Sequence, residues 1–362
     1  MRQLIESLGD EIALLASYNV SEKAWDGRFP VFDAASTPLG SRLRRRLHLA
    51  PTGDQVSRRL AKRIARAGCT HLIIHFADEA LSWVDLIKSF DGRVFVFCHG
   101  IDVTWNMRRN DAQGTAYHPK DYCERVRKLA DDVTFVANSS HTTKQLHSIG
   151  VPSEKIAQFT FGCDLPIGDD SRVAAGTIDV IQVGRLVDFK GPQHTIRAFA
   201  HLTDEFQGIR LVIAGDGPMA GVCRLTAAEL GVEDRVLFLG EIDGDAVQRL
   251  MSSSKVFTMH NCKGPLTNQK EAFGYAILEA MSHGLPVVCA RSGGVVDFVE
   301  HGETALMFEP GDWQGQSEHL RNLLLDPTLR AKLGNAGRGL VAAQHSRRHM
   351  RRSLLAALAL EK

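Results

Sequence analysis

The fold of this chain is indicated first by residues 180–191, whose sequence is VIQVGRLVDFKG. A short, mostly apolar run typical of a buried strand ends at Gly184 and Arg185, and Lys190 follows after four further residues. A helix can begin at Pro192, because proline is well tolerated in the first turn of a helix. Such a unit places both cations at the carboxyl end of a strand, where parallel α/β sheets bind their ligands. An ordinary turn with solvated cations is equally compatible with these residues alone.

Short runs rich in Val, Ile and Phe alternate with helical patterns in two successive series. Such nearly unbroken runs are typical of strands that helices cover on both faces. The first series predicts strands at 11–16, 70–76, 93–100 and 133–139, with helices at 55–67 and 119–131. The second predicts strands at 177–185, 209–217, 235–241, 255–260 and 286–290, with helices at 192–203, 218–231, 245–252 and 274–283. Together they predict an α/β fold with two doubly wound parallel sheets.

The boundary between the two domains is predicted within residues 161–177, which are rich in Gly, Asp, Ser and Ala and show no helical or strand period. We therefore predict a first domain over 1–168 and a second over 169–345. The last helix, 346–362, follows a complete second series, so we expect it to pack back across the first domain. The chain opens inside what looks like the first helix of a doubly wound domain. Its first strand is therefore either missing or encoded before the assigned start.

Composition restricts the classes of function. The 362 residues are 44% hydrophobic, enough to bury a core in each of two domains. The formal net charge of +1 predicts neither a nucleic-acid nor a membrane partner. The seven cysteines include no C-x-x-C pair, which argues against a disulfide scaffold and a structural zinc site. No apolar run approaches the roughly 18 residues of a membrane span, and the start lacks a signal-peptide core, so we expect a cytoplasmic protein.

Residues 260–288, with the sequence HNCKGPLTNQKEAFGYAILEAMSHGLPVV, contain a second candidate feature. A helix that starts near Phe273 and Gly274 would point its free N–H groups and positive dipole end toward the ligand crevice. Glu271 then lies in the preceding loop, and Glu279 lies about two turns into the helix. A solvated glutamate is the ordinary interpretation, but this helix is apolar, and an unpaired buried carboxylate is costly. A carboxylate here can instead accept hydrogen bonds from sugar hydroxyls.

A set of short motifs occurs in order along the chain. In the first domain these are FCHGIDV (97–103), VANSSHTTKQLHSIGVPSEKI (136–156) and FGCD (161–164). In the second they are GRLVDFKG (184–191), AGDGP (214–218), EAFGYAILEAMSHGLPVV (271–288) and SGGVVDFVEHGETALMFEPGD (292–312). Each motif is weak alone, but in this order they resemble glycosyltransferase family 4, the group 1 glycosyl transferases. These are retaining, nucleotide-sugar-dependent enzymes of the GT-B fold.

The resemblance implies how a donor would be held. The R-x4-K spacing is met by Arg185 and Lys190, which would hold the donor diphosphate beside Gly184. The E-x7-E spacing is met by Glu271 and Glu279. Glu279 would bind the nucleotide ribose, and Glu271 the transferred sugar.

Further positions complete the implied site. The backbone amides of Phe273, Gly274 and Tyr275 would assist Glu271. Gly215 is implied in donor binding, and Gly240 and Glu241 would mark the edge of a nucleobase pocket close to Met259 and His260.

His99 would approach the sugar from the first domain, across the cleft. It lies at the carboxyl end of a predicted strand, as ligand-facing residues do. Most of the other histidines, including His71 and His75 on a predicted strand, are expected to have no special role.

The implied mechanism is electrostatic. Cleavage of the sugar–phosphate bond leaves negative charge on the diphosphate, which Arg185, Lys190 and the helix amides would stabilise without a metal or another cofactor. Neither glutamate is expected on the reactive face, so we predict no protein nucleophile and attack from the face that the leaving group departs. The triplet Asp243-Gly244-Asp245 matches the D-x-D of metal-dependent glycosyltransferases, but Asp243 is better explained as a helix cap.

The stretch 41–68 is strongly basic, with Asp54 as its only acid. Because Val56, Leu60 and Ile64 recur at helical spacing, arginine and lysine occupy the other faces of the predicted helix. A solvated helix explains this pattern. Docking of residues 41–66 to an anionic membrane surface, where lipid-linked acceptors reside, and binding of an anionic soluble acceptor are alternatives.

The sequence therefore predicts a retaining glycosyltransferase. It would move a sugar from a nucleotide-diphosphate-sugar to a glycan, lipid-linked or small-molecule acceptor in bacterial polysaccharide or glycoconjugate synthesis. One alternative is a nucleotide-sugar 2-epimerase of the same fold, whose catalytic acids and bases are not evident. Another is a non-catalytic nucleotide-sugar-binding subunit, which the unlocated first strand and glycine-rich loop would favour.

Overall fold

The structure is a computed structural model of the chain. It describes residues 53–109, 111, 113–166 and 178–360, together with residues 8, 12, 15–17 and 31–33. The predicted domain boundary, at residues 168 and 169, lies outside the described residues, and so do residues 41–52 of the basic stretch. Among the helices described, none is long and apolar enough to cross a membrane.

The first domain is built on a parallel sheet. Its described strands are β1 Leu15–Ser17, β2 Val31–Asp33, β3 His71–His75, β4 Arg93–Cys98, β5 Thr134–Ala137 and β6 Ile156–Gln158. Strands β3 to β6 form one sheet in chain order, and β1 pairs with β2 separately. Its helices are α1 Gly53–Arg66, α2 Ala77–Ala80, α3 Val84–Ser89, α4 Tyr122–Leu129 and α5 Ser140–Ile149. The strand predicted at 11–16 is described only from Leu15, where β1 begins.

The second domain contains a six-stranded sheet in which every described pair is parallel. Its strands are β7 Ile178–Val183, β8 Leu211–Ala214, β9 Val236–Gly240, β10 Ser254–Met259, β11 Val287–Ala290 and β12 Leu306–Phe308. Its helices are α6 Pro192–Ala200, α7 Ala220–Glu229, α8 Gly244–Ser252, α9 Tyr275–Ser282, α10 Trp313–Leu325 and α11 Pro327–Gln344, and α12 Arg347–Ala357 follows. The predicted α/β fold with two parallel sheets is confirmed.

The strand order of the second sheet is β12-β11-β10-β7-β8-β9. From β7 the chain adds β8 and β9 on one side of the sheet. It then returns and adds β10, β11 and β12 on the other side of β7. Ligands of doubly wound sheets bind at this reversal, outside the carboxyl ends of the two adjacent strands. The loop after β7 and the loop after β10 consequently face one crevice.

Helix α12 packs on the first domain. Met350 and Leu354 are fully buried against Phe95 and Phe97 of β4 and against Phe159, which follows β6. The backbone N–H of Thr160 donates a hydrogen bond of 2.9 Å to the hydroxyl of Ser353. The end of the chain thus joins the two domains by burying apolar area, the dominant favourable contribution to association.

The two domains also meet near the crevice. The first residue of α5, Ser140, donates its backbone N–H and its hydroxyl to the carboxylate of Asp297, at 2.6 and 2.5 Å. An anion at the first turn of a helix is favoured by the free N–H groups and the helix dipole.

The candidate metal triplet has an ordinary structural role, as predicted. The side chain of Asp243 accepts a hydrogen bond of 2.7 Å from the backbone N–H of Ala246 and caps the start of α8. The carboxylate thereby satisfies one of the N–H groups that a helix start leaves without a partner.

Candidate functional site

Lys190 and Glu271 meet at the reversal of the second sheet. Lys190 ends a single turn of 3-10 helix after β7, and Glu271 lies in the loop between β10 and α9. The Nζ atom of Lys190 donates to Oε2 of Glu271 at 2.7 Å, and both side chains are nearly buried. This ion pair is the centre of the candidate site.

The other oxygen of the Glu271 carboxylate, Oε1, faces the start of α9. It accepts hydrogen bonds from the backbone N–H of Gly274 at 3.1 Å and of Phe273 at 3.5 Å. Burial by itself raises the pKa of this carboxyl. The ammonium of Lys190 and the two amides outweigh burial and hold the pKa below its usual value. Glu271 is therefore ionised at neutral pH.

The backbone around Glu271 is held by two glycines. Its carbonyl oxygen accepts a hydrogen bond of 3.0 Å from the N–H of Gly294. A β-carbon at Gly293, whose φ is +61°, would lie only 1.8 Å from that same oxygen. Only glycine allows this approach, so the SGG sequence at 292–294 positions the loop that carries the carboxylate.

Helix α9 is largely anchored by apolar contacts. Gly274 precedes it with a φ of +99°, and Phe273 stacks on Phe298 with ring centroids 5.0 Å apart. Tyr275 contacts the ring of Phe161 from the domain junction at 5.9 Å. The buried positions of the helix keep its first turn beside the ion pair.

Glu279 lies one turn further along α9 and is half-buried. Burial raises the pKa of its carboxyl to about 7, because a charged carboxylate loses hydration there. Sequence analysis placed this residue on the site helix, but the shift toward neutrality appears only in the structure.

Three glycines bring the carboxyl ends of β7, β8 and β9 close together. The N–H of Gly215 donates 2.7 Å to the carbonyl of Gly240, and the N–H of Gly184 donates 2.9 Å to Ala214. A β-carbon at Gly215, whose φ is +135°, would lie 2.1 Å from the carbonyl oxygen of Gly184. These predicted positions therefore shape the backbone of the crevice.

Arg185 lines the cleft between the domains. Its side chain is exposed, and the cleft, of about 370 Å³, is also lined by Val187, Pro218 and residues of the first domain. That the two cations act together on one diphosphate stays a prediction. The structure adds that Lys190 binds Glu271 and that Arg185 faces the open cleft.

The loop that carries His99 lies beside the loop of Glu271, through the neighbouring residue Gly100. A β-carbon at Gly100 would lie 2.8 Å from Cβ of Ala272, so the loop after β4 touches the residue that follows Glu271. Nε2 of His99 hydrogen-bonds Nδ1 of His75 at 2.9 Å. Burial lowers the pKa of His99 to about 4 and that of His75 to about 3, so both rings are neutral at pH 7.

Asp102 holds the His99 loop, which sequence analysis did not foresee. Its buried carboxylate accepts 2.9 Å hydrogen bonds from the backbone N–H groups of His99 and Ala77. The hydroxyl of Tyr122 donates to the carbonyl of Asp102 at 2.5 Å. Asp102 therefore joins the ends of β3 and β4, and its position three residues after His99 was the available signal.

Asp188 is a second residue whose role the sequence did not predict. Its buried carboxylate accepts from the backbone N–H groups of Leu266 and Thr267 and from the hydroxyl of Thr267, at 2.8–2.9 Å. This carboxylate fixes the loop at 263–270 that leads to Glu271. Its place between Arg185 and Lys190 in the motif could have suggested a role.

His260 and Met259, near which a nucleobase pocket is predicted, are both enclosed by the second domain. His260 is fully buried, its Nδ1 bonds Oε1 of Gln316 at 2.7 Å, and its Nε2 accepts from the N–H of Gly311 at 2.9 Å. Met259 is also fully buried, and its sulfur lies 4.0 Å from Nζ of Lys190. Met259 is the last residue of β10 and His260 follows it, and both side chains lie in the interior of the second domain.

The second domain, which contains this site, matches a known protein family. The family described as "Glycosyl transferases group 1" matches residues 169–340. This domain belongs to the group 1 glycosyl transferases. The match contains Lys190, Glu271 and the whole of α9, so the candidate site lies within the glycosyl transferase domain.

Relatives of known activity match parts of the chain. A GDP-mannose-dependent alpha-(1-6)-phosphatidylinositol monomannoside mannosyltransferase of Mycobacterium tuberculosis is 28% identical over 70% of this chain and 66% of its own length. The N-acetyl-alpha-D-glucosaminyl L-malate synthase of Bacillus anthracis is 33% identical over 46% of this chain and 41% of its own length. The chain thus spans less than two thirds of the length of each of these relatives.

Solved structures extend the similarity to both domains. Anabaena Alr3699/HepE, solved in complex with UDP-glucose, superposes with a TM-score of 0.78 at 19% identity, over 99% of this chain and 95% of that one. A sucrose-phosphate synthase of Thermosynechococcus elongatus gives a TM-score of 0.72 at 18% identity, over 98% and 93%. The chain therefore has the GT-B fold.

Proposed function

We propose that this protein transfers a sugar from a nucleotide-diphosphate-sugar to an acceptor hydroxyl. One observation carries the proposal: the ion pair of Lys190 and Glu271 abuts the first amides of α9 at the strand reversal of the group 1 domain. A cation, a carboxylate and backbone donors are the groups needed to bind a diphosphate and sugar hydroxyls together.

The donor diphosphate binds between Lys190, Arg185 and the start of α9 in this proposal. Its oxygens compete with Glu271 for the Lys190 ammonium, which frees the carboxylate to accept from hydroxyls of the transferred sugar. Glu279 accepts from the ribose hydroxyls. Its half-buried position favours this role, because a carboxylate in such surroundings is stabilised by hydrogen-bond donors.

The reaction is a substitution at the anomeric carbon. The acceptor oxygen forms a bond to that carbon, the carbon–oxygen bond to the diphosphate breaks, and its electron pair leaves with the diphosphate. The acceptor proton passes to a diphosphate oxygen. Arg185, Lys190 and the α9 amides stabilise the developing negative charge, and no metal is required.

We further propose a retaining outcome. The acceptor attacks from the face that the diphosphate leaves, without a covalent enzyme intermediate. The amides of α9 support this assignment, since they hold one oxygen of Glu271 while the sugar hydroxyls would occupy the other, which leaves the carboxylate poorly suited to attack carbon. His99, held neutral, contributes as a hydrogen-bonding neighbour of the sugar from the first domain.

The acceptor is proposed to be a sugar-containing or lipid-linked molecule, in polysaccharide or glycoconjugate synthesis. The mannosyltransferase relative is by its name one that acts on a phosphatidylinositol monomannoside. Helix α1 supports contact with an anionic membrane, because Leu60 and Ile64 are buried while Lys62, Arg63 and Arg66 are exposed. We propose a protein that works at the cytoplasmic face of such a membrane without spanning it.

A panel of UDP, GDP and ADP tests donor binding by thermal shift, because a ligand that binds only the folded state raises the melting temperature. The nucleotide that stabilises the protein then selects the sugar donors for an assay of nucleoside diphosphate release. The proposal expects stabilisation that Lys190→Ala abolishes, and slow release of the diphosphate from one donor. Stabilisation without release, with any acceptor extract, would instead identify a binding subunit.

The anomeric configuration of the isolated product tests retention. A donor with an α-linked sugar should yield an α-linked product. A β-linked product would refute the retaining mechanism and leave the transferase proposal intact.

A further inference from the structure

The cleft that contains Arg185 is shared by the two domains. Its volume is about 370 Å³, and the first domain lines it with Ile101, Met107, Arg109, Asp111 and Tyr117. The second domain contributes Arg185, Val187, Asp188, Pro218, Thr267 and Gln269. Two arginines and two aspartates therefore face one space, one of each from either domain.

The two aspartates are already bound to their own loops. The carboxylate of Asp111 accepts from the backbone N–H groups of Gln113 and Thr115 at 3.2 Å and from the Thr115 hydroxyl at 2.7 Å. The Asp188 carboxylate accepts from the loop at 266–267, as described above. Neither carboxylate reaches an arginine of the cleft within the described chain.

The two guanidinium groups of the cleft differ from its two carboxylates. Within the part of the chain that the structure describes, neither Arg109 nor Arg185 forms an ion pair, and both side chains are exposed. The Arg109 guanidinium lies over the ring of Tyr117, 5.6 Å from its centroid. This contact orients a planar set of N–H donors without using them.

The segment that carries Arg109 is tied to the opposite domain. The backbone N–H of Arg108 donates 3.0 Å to the carbonyl of Thr267, and the Asn268 side chain donates 2.9 Å to the carbonyl of Asn106. Arg109 itself bonds across the turn to Thr115 at 2.7 Å through its backbone N–H. The first-domain arginine is thus held at the crevice of the second domain.

We propose that Arg109 and Arg185 form a bridging phosphate site, in which Arg109 is a first-domain cation for a phosphate group of a substrate. Planar guanidinium groups suit the oxygens of phosphate, and two of them at one cleft compensate its double negative charge. The apolar side chains of Ile101, Met107 and Pro218 would cover the part of the ligand that adjoins the phosphate. This inference rests on the proposed function.

Two substrates could supply such a phosphate: the donor diphosphate, and a phosphate carried by the acceptor. Either substrate would place a phosphate group between Arg109 and Arg185. They differ in whether nucleotide binding or the binding of a second ligand depends on Arg109.

The experiment measures binding to the full chain by calorimetry, first with UDP and GDP. Inorganic phosphate is then titrated into protein saturated with the better nucleotide. The variant is Arg109→Gln, with Arg108→Gln as the matched control, because Arg108 is adjacent and exposed but does not line the cleft. Melting temperatures verify that both variants fold.

Arg109→Gln should weaken one of the two probes about tenfold or more, as expected for loss of a charge-assisted hydrogen bond, while Arg108→Gln changes neither more than twofold. A weaker nucleotide assigns the site to the donor, and weaker phosphate binding at unchanged nucleotide affinity assigns it to the acceptor. Arg109→Lys should recover only part of the loss, since lysine lacks the planar fork.

Equal binding of both probes by Arg109→Gln and the wild type would overturn the phosphate site. If Lys190→Ala still abolished nucleotide binding in that case, the proposed function would stand. If none of UDP, GDP and ADP binds, phosphate is titrated into the nucleotide-free protein, and phosphate binding that depends on Arg109 would then support the site and refute the proposed donor.

Discussion

The Nζ atom of Lys190 lies 2.7 Å from Oε2 of Glu271, although 81 residues separate the two along the chain. Both side chains are about seven-eighths buried, at 14% and 12% exposed. Removing one partner of such a pair leaves the other buried without a counter-charge. We therefore expect Lys190→Met to lower the free energy of unfolding by about 3 kcal/mol, measured by urea denaturation.

The double variant Lys190→Met with Glu271→Gln should recover much of that loss, because no uncompensated charge remains. It should still show no stabilisation by a nucleoside diphosphate. Lys255→Met is the matched control, since Lys255 pairs with Asp179 at the same 2.7 Å but is 32% exposed. A loss at Lys190 no larger than at Lys255 would show that the pair is not a buried ion pair in solution.

Glu279 should make stability depend on pH. Its folded pKa of about 7 lies above the ordinary value of 4.5, so between these values the folded protein keeps a proton that the unfolded chain loses. The stabilising contribution is complete below pH 4.5 and is lost as pH rises through 7. Relative to wild type, Glu279→Gln should therefore gain up to about 3 kcal/mol between pH 4.5 and 8.

Urea denaturation of both proteins across this range measures the difference directly. If ribose hydroxyls bind the carboxylate form, nucleotide binding at pH 7 should also release a proton that the variant does not release. Calorimetry in buffers of different ionisation enthalpy detects it. A wild-type minus variant difference that is flat with pH would contradict the raised pKa.

His75 should act on catalysis through His99. The hydrogen bond between Nδ1 of His75 and Nε2 of His99 determines which nitrogen of His99 carries the proton. We expect His75→Phe to lower kcat about tenfold or more, with little change in stabilisation by the nucleotide. Because both rings are already neutral at pH 6 to 8, the wild-type rate should show no titration from either residue there.

The control is His71→Gln, on the same strand, where Nδ1 of the ring hydrogen-bonds the exposed hydroxyl of Thr70 at 2.9 Å and the ring stacks on Phe95. It should leave kcat within twofold of wild type. Equal rates for His75→Phe and wild type would mean that the pair has no part in the reaction.

Gly293 should tolerate no side chain. Alanine would pay the strain of a φ of +61° and would also place its β-carbon 1.8 Å from the carbonyl oxygen of Glu271. We expect Gly293→Ala to lower the free energy of unfolding by about 3 kcal/mol or more, and to weaken nucleotide binding because the Glu271 loop must move.

Gly302→Ala isolates the strain, since Gly302 has a φ of +80° with nothing within 4 Å of a β-carbon. Its loss should be about 1–2 kcal/mol, with nucleotide binding intact. Similar losses for the two variants would show that the close approach at Gly293 relaxes in solution.

Helix α1 should bind anionic vesicles more strongly than neutral ones. We expect the triple variant Lys62→Gln, Arg63→Gln and Arg66→Gln to reduce binding to phosphatidylserine vesicles on the order of 100-fold, at roughly 1 kcal/mol for each charge. Sedimentation with vesicles at low and moderate salt provides the measurement. Moderate salt should release the wild type.

A second triple variant, Arg224→Gln, Lys332→Gln and Arg348→Gln, removes the same charge from exposed positions outside α1. It should bind vesicles as the wild type does. Equal loss in both variants would assign the effect to net charge, and equal wild-type binding to neutral vesicles would refute the membrane contact.

The local sequence pattern was sufficient to predict much of the fold. Strands β7, β8 and β11 are four to six residues long and mostly buried, so their nearly unbroken apolar runs could be recognised without the tertiary structure. The cap at Asp243 and the helix start at Pro192 were predictable for the same reason, since each depends on groups within a few residues.

Side-chain direction and partners could not be read in this way. The R-x4-K spacing predicts that Arg185 and Lys190 act together, but it could not show that a turn of 3-10 helix brings Lys190 to Glu271 and that Arg185 lines the cleft. The hydrogen bond between His75 and His99 joins β3 to the end of β4. The periodicity of either strand alone does not predict such a contact.

The sequence by itself determined which segments become strands and helices, and which residue types stand at the carboxyl ends of the strands, because both depend on neighbours along the chain. Only the tertiary structure decided that β7 and β10 lie side by side, and hence that Lys190 neutralises Glu271. The reason is physical: burial, charge pairing and pKa are properties of surroundings that segments distant in sequence create when they pack together.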